Sequence, residues 1–323
     1  MMSRRIAVLG AGAFGTALAC VLARTGRQVS LIDRNPDRAE EIAGQRLSPF
    51  LPGVPLPPGL QVTGTPDTLR DAGLVLLAAP AQMTRTALAL ANPLIRPDAA
   101  LVLCAKGVEC KTMALQSEIA ATEAPGRPIA IMTGPGFATE IGAGLPTALT
   151  LACADTRHGN ALQQNLSTPT LRLYLTDDLI GAQIGGAMKN VIAIACGAVT
   201  GAELGESARA ALMTRGMAEI MRLALARGAR STTMAGLSGM GDLALTCLSP
   251  KSRNFALGHA LGAGNAPTKA LAEGASSAAG FSLLAQRIGV EAPITDAIVQ
   301  VLESRMSVGD AIRALLGRPL RME

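Results

Sequence analysis

Short β-branched and aliphatic runs alternate with helix-period stretches through the first half of the chain. Strands are predicted over 6–9, 28–32, 74–78, 100–104, 128–132, 147–152 and 171–175. Several are continuous apolar runs, as expected of strands covered on both faces. The helical patterns between them give the βαβ grammar of a doubly wound parallel sheet. Residues 48–59 interrupt that grammar with Pro49, Pro52, Pro55, Pro57 and Pro58. Phe50, Leu51, Val54 and Leu56 within the stretch predict a packed loop rather than a linker.

From Asp177 onward the strand signal fades. Helices are predicted over 179–198, 207–227, 256–261, 275–288 and 294–303. The expected organisation is an α/β domain over 1–180 and an all-α domain over 181–323, with the boundary near 176–184. Within the first long helix, residues 185–197 are apolar on every face except at Lys189 and Asn190, which argues for burial. A buried ammonium costs several kcal/mol unless it is paired or neutralised, and burial favours loss of its proton. The plainer alternative is a lysine at the edge of the run whose amine reaches solvent.

A length of 323 residues suits two domains, and 49 % hydrophobic with 16 % charged residues excludes a disordered chain. With no Trp and one Tyr, aromatic stacking platforms for nucleic acid are not expected. A net charge of +5 is mild and compatible with an anionic small substrate. Cys20, Cys104, Cys110, Cys153, Cys196 and Cys247 show no Cys-x-x-Cys spacing and read as reduced thiols of a cytoplasmic protein. His158 and His259 stand apart, so no metal is expected. The first residues are too short for a signal-peptide core, and no uninterrupted apolar segment of about 18 residues appears, so no membrane span is expected.

Gly10-Ala11-Gly12-Ala13-Phe14-Gly15 follows the first strand and opens a helix. In that context Gly10 permits a tight turn, Gly12 admits a pyrophosphate to the backbone, and Gly15 allows close helix–strand packing. Asp33 at the end of the second strand can accept from a ribose 2′-OH, while the adjacent Arg34 can hold a 2′-phosphate, so both NAD and NADP are accommodated. Lys106 ends a further strand, and residues 133–138 form a second glycine-containing strand-to-helix turn. Asp242 lies between glycines and apolar residues, and Lys251-Ser252-Arg253-Asn254 groups donors suited to a phosphate. Taken singly, these also read as a strand-end lysine, an ordinary turn residue and a solvated turn.

The order Gly-x-Gly-x-x-Gly, Ala-Lys-Gly, Gly-Pro-Gly-Phe-Ala, Lys-Asn-Val, Gly-Asp-Leu-x-Leu-Thr-Cys, Ser-Arg-Asn resembles the bacterial type of NAD(P)-dependent glycerol-3-phosphate dehydrogenase. The resemblance runs from Ile6 to about Pro293. It implies a Rossmann-type N-terminal domain, an all-helical C-terminal domain and an active site between them. The implied reaction interconverts dihydroxyacetone phosphate and sn-glycerol 3-phosphate, supplying phospholipid synthesis.

Residue by residue, the resemblance makes Lys189 the proton donor or acceptor, with Asp242 able to orient it. Lys106 would contact both cofactor and substrate. Gly134, Gly136, Asn190, Asp242, Ser252, Arg253 and Asn254 would bind substrate. Ala13, Phe14, Arg34, Ala138, Arg253, Leu271 and Glu273 would contact the cofactor. Departures are local: Thr200 and Ser207 stand where the family usually has Asp and Asn, Ala79-Pro80-Ala81 replaces Val-Pro-Ser, and Ile32-Asp33 replaces an aromatic. The rival readings are a β-hydroxyacid or 6-phosphogluconate-type dehydrogenase and a cofactor-binding regulator without turnover. Subunit number is left open, a homodimer being one candidate.

Overall fold

A computed structural model describes residues 5–265 and 272–317. Among the described residues there are eight strands: β1 (Arg5–Leu9), β2 (Val29–Ile32), β3 (Leu60–Thr63), β4 (Ala72–Leu77), β5 (Ala100–Leu103), β6 (Ile129–Thr133), β7 (Thr147–Ala152) and β8 (Leu171–Thr176). The helices among them are α1 (Ala13–Ala23), α2 (Pro36–Gln45), α3 (Thr84–Ala91), α4 (Gln116–Glu123), α5 (Ala138–Ala143) and α6 (Thr156–Leu166). There follow α7 (Leu179–Gly201), α8 (Glu206–Ala226), α9 (Ser231–Ala235) and α10 (Asp242–Leu248). The last are α11 (Arg253–Gly262), α12 (Glu273–Arg287), α13 (Pro293–Leu302) and α14 (Val308–Leu316).

The chain divides into two compact units, one of residues 1–106 and 115–182, the other of 107–114 and 183–323. A single cut at residue 180 does not capture the segment Gly107–Ala114, which groups with the helices although it follows β5.

In the first unit the strands lie in the order β3-β2-β1-β4-β5-β6-β7-β8. All neighbours are parallel except β6 and β7. The strand order reverses between β1 and β4, and the carboxyl ends at such a reversal form the ligand crevice of open α/β sheets. The short β3 was not foreseen, because only Leu60 and Val62 of its four residues are apolar and prolines precede it. The proline-rich loop packs as expected: Leu51, Val54 and Leu56 are buried, while Phe50 is exposed. A side chain at Gly142 of α5 would collide with Leu51, so the loop seats directly on that helix.

The second unit is built around α7, nearly every residue of which is buried from Gln183 to Val199. Glycines let α7 and α11 meet backbone to backbone. A Cβ at Gly197 or Gly201 would lie 2.1 Å from the carbonyl oxygen of Phe255 or His259, and one at Gly258 would lie 1.9 Å from that of Ile194. Contacts under 3 Å exclude any larger residue at these positions without separating the helices. By length and composition alone α7 could cross a membrane, but 89 % of its most apolar window is buried inside the protein. Packing accounts for its hydropathy. The fully buried Glu219 of α8 accepts from the N–H groups of Ile294 and Thr295 at 2.9 Å each, capping α13 from another helix. Burial raises the pKa of its carboxyl, against the pull of those hydrogen bonds. α9, α10 and α14 were not foreseen; each is under ten residues, too short for periodicity to mark.

Candidate active site

The glycine turn joins β1 to α1 at the strand reversal. Gly10 has φ of +115°, and a Cβ there would lie 2.8 Å from the Ala78 carbonyl oxygen at the end of β4. A Cβ at Gly15 would lie 2.0 Å from the Gly10 oxygen, so these two glycines are required by packing. Gly12 differs: a Cβ there would meet nothing within 4 Å. Its open side lies at the N-terminus of α1, whose first-turn N–H groups have no intrahelical acceptor. That combination fits a dinucleotide pyrophosphate. Ala13 and Phe14 begin α1 on the same turn.

At the end of β2, Asp33 is buried and held on three sides. Its Oδ2 accepts from Arg38 Nε at 2.7 Å, and Oδ1 accepts from Arg38 Nη2 at 2.6 Å and from the Asn35 N–H at 2.9 Å. Burial alone would raise the Asp33 carboxyl, but Arg38 and the Asn35 N–H bring it below the usual range. Arg34 beside it is exposed. Sequence reading named Asp33 and Arg34 but missed Arg38, which sits in the first turn of α2.

Lys106 follows β5, and its Nζ donates to the Gly134 carbonyl at 2.9 Å. The same ammonium stands 6.0 Å from the centre of the Phe14 ring. Lys106 therefore ties the glycine turn to the turn after β6. In that second turn Gly134 has φ of +130°, and a Cβ would press on Leu149. Gly136 packs on Ile141 and Thr147, and Ala138 starts α5. The adjacent Cys104 thiol is pushed up to about 12 by burial, so it serves as packing and not as a nucleophile.

In the second unit, Lys189 is 6 % exposed and Asp242 is fully buried. Lys189 Nζ donates to Asp242 Oδ1 and, at 2.8 Å, to Thr246 Oγ1. Thr246 in turn donates to the Asp242 carbonyl at 2.7 Å. Lys189 is therefore not the solvent-reaching lysine of the plainer alternative. A π-type turn over Leu237–Gly241 delivers Asp242 to the start of α10, so it is no solvated turn residue. Thr246 lies four residues, one helical turn, after Asp242 and thus on the same face.

Beside this pair, Asn190 Oδ1 accepts from Asn254 Nδ2 at 2.9 Å, and Asn254 Oδ1 accepts from the Gly274 N–H at 3.0 Å. Ser252 caps α11 by accepting from the Phe255 N–H, and Arg253 opens that helix with an exposed side chain. The Lys-Ser-Arg-Asn segment is thus a helix start whose serine and asparagine are buried. Glu273 is the first residue of α12, while Leu271 lies outside the described residues. Lys189, Asn190, Asp242, Ser252, Arg253 and Asn254 all belong to the helical unit. The glycine turn, Asp33, Arg34, Lys106, Gly134, Gly136 and Ala138 belong to the other.

Comparison with known proteins matches both units. Residues 5–159 match the family described as NAD-dependent glycerol-3-phosphate dehydrogenase N-terminus, and residues 178–313 match its C-terminus. A glycerol-3-phosphate dehydrogenase [NAD(P)+] of Ruegeria is 52 % identical, covering 98 % of this chain and 99 % of the relative. One from Caulobacter vibrioides is 47 % identical over the full length of both chains. A crystal structure of glycerol-3-phosphate dehydrogenase from Coxiella burnetii superposes with a TM-score of 0.94 at 35 % identity, covering 98 % of this chain and 99 % of that one.

Proposed function

The chain belongs to the NAD-dependent glycerol-3-phosphate dehydrogenase family, and on that premise we propose that Lys189 carries the proton of the reaction. The reaction is the NAD(P)-dependent interconversion of dihydroxyacetone phosphate and sn-glycerol 3-phosphate. The observation that supports the role is a buried lysine held by Asp242 and Thr246. A buried ammonium with a fixed direction is suited to a developing alkoxide.

A dihydronicotinamide, when bound, would supply the hydride that reduces the carbonyl carbon. As charge develops on the carbonyl oxygen, Lys189 Nζ gives it a proton; in the oxidising direction the neutral amine takes the hydroxyl proton. Asp242 supplies the counter-charge that keeps the ammonium in place, and Thr246 fixes its direction. Arg253, exposed at the start of α11, offers a bidentate partner for the substrate phosphate, helped by the positive end of the helix. Asn254 has one amide hydrogen left after its bond to Asn190 and can add a donor. In the first unit, the turn at Gly12 would hold the pyrophosphate, with Lys106 beside Phe14 of the same turn. We assign the activity to the cytoplasm and to the supply of glycerol 3-phosphate for phospholipids.

The test is loss of NADH or NADPH absorbance with dihydroxyacetone phosphate, set against a β-hydroxyacid and 6-phosphogluconate. Lys189→Ala is expected to lower turnover by about 10²–10⁴-fold, the range for a positioned proton donor. Dinucleotide affinity should stay within about threefold, because the glycine turn belongs to the other unit. Normal turnover in this variant would sink the assignment.

A further inference from the structure

The end of β2 is where a dinucleotide's adenosine ribose is read, and a free carboxylate there favours the 2′-OH and repels a 2′-phosphate. Here the carboxylate is not free. Arg38 grips Asp33 through both oxygens at 2.6 and 2.7 Å, and the Asn35 N–H takes a third acceptor position. Two oxygens offer about four such positions, so little acceptor capacity remains for a hydroxyl.

The grip is preorganised by local structure. Asn35 caps α2 by accepting from the N–H groups of Asp37 and Arg38, and Pro36 sets the first helical residue. That fixes Arg38 in the first turn, facing back toward β2. Its guanidinium also lies 5.2 Å from the centre of the Phe50 ring, which supports it from the proline-rich loop. Electrostatically the pair is neutral, and the neighbouring exposed Arg34 adds a positive charge. The remaining N–H groups of Arg38 and those of Arg34 are donors suited to phosphate oxygens.

We propose that Arg38, by clamping Asp33, sets the cofactor choice of this chain toward the 2′-phosphorylated dinucleotide. Arg38 acts as a specificity residue partly through Asp33: it cancels the charge that would reject a 2′-phosphate. This rests on the reading of the glycine turn as the dinucleotide site.

Direct binding of NADPH and NADH, followed by their fluorescence, tests it without turnover. The unchanged protein is expected to bind NADPH about tenfold or more tightly than NADH, the scale of one surface charge acting across a few ångström. Arg38→Ala should cost NADPH about tenfold or more and leave NADH within about threefold. Asp33→Asn combined with Arg38→Ala should recover much of the NADPH affinity, because Arg34 then faces the phosphate without a competing carboxylate. A structural defect in the loop would not be rescued in this way. Equal weakening of both dinucleotides in Arg38→Ala, no recovery in the double variant, or no NADPH preference in the unchanged protein overturns the proposal. An unchanged protein that binds neither dinucleotide overturns the cofactor reading as well.

Discussion

Two acid–base pairs dominate the two units, and they are built in opposite ways. Asp33 and Arg38 are five residues apart, joined by one strand end and one helix start, with the arginine side chain 30 % exposed. Lys189 and Asp242 are 53 residues apart, on different helices, with side chains 8 % and 1 % exposed. The first pair closes through local geometry and leaves its cation at the surface, where it can meet a ligand. The second exists only because α7 and α10 pack, and its partners have no water to fall back on. A local pair can tune recognition at small cost to the fold, whereas a remote buried pair is both a chemical device and part of the core.

The sharpest way to break that contrast is to remove the charge from each carboxylate. Asp242→Asn keeps the shape but leaves a buried ammonium without its counter-charge. Breaking one partner of a buried pair costs about 3–5 kcal/mol, so a large fall in the unfolding midpoint is expected. Turnover should fall with it, because the amine loses its fixed direction. Asp33→Asn should lower the midpoint less, since the charge left behind is that of Arg38, whose side chain is 30 % exposed and can be solvated by water. Denaturation of both variants side by side checks this, and equal losses would erase the distinction drawn between the pairs.

A finer probe lies in Thr246, the second acceptor of Lys189. Thr246→Val keeps the volume and removes the hydroxyl, which both accepts from Lys189 and donates to the Asp242 carbonyl. Losing one buried hydrogen-bond partner costs about 1–3 kcal/mol. If Thr246 aims the amine, kcat should drop about tenfold or more with KM little changed. A variant with reduced stability and full kcat would make Thr246 a packing residue only.

The same contrast explains what the sequence could reveal. β1, the glycine turn and Asp33 are contiguous, so strand pattern and motif spacing located them. Lys189 stood out as one of two polar residues in an apolar stretch, which signalled burial but not a partner. Thr246 was invisible as a partner because nothing local links α10 to α7. Their meeting depends on backbone approaches such as Gly185 of α7 against Ser238, where a Cβ would lie 2.7 Å from the carbonyl oxygen. Arg38 escaped notice for a different reason: one arginine of several in a polar helix start carries no pattern. Segment Gly107–Ala114 also escaped, because its grouping with the helices reflects tertiary packing after a strand that belongs to the sheet.

The smallest expected effect comes from pH acting on the local pair. The Asp33 carboxyl lies below its ordinary value of 3.8 in the folded protein, burial opposing and Arg38 favouring the charged form. An acid with a lowered folded pKa binds its proton more readily in the unfolded chain. Its stabilising contribution is therefore complete above the ordinary value and is lost as pH falls through the folded one. Arg38→Ala removes the main group that holds the carboxyl down, so the variant should shed this part of the acid dependence. The gap between the unfolding midpoints of the unchanged and variant proteins should be steady from neutral pH to about pH 5 and narrow below about pH 4. A gap that widened on acidification would mean that Asp33 is not held charged by Arg38, and the clamp at the cofactor end would lose its electrostatic basis.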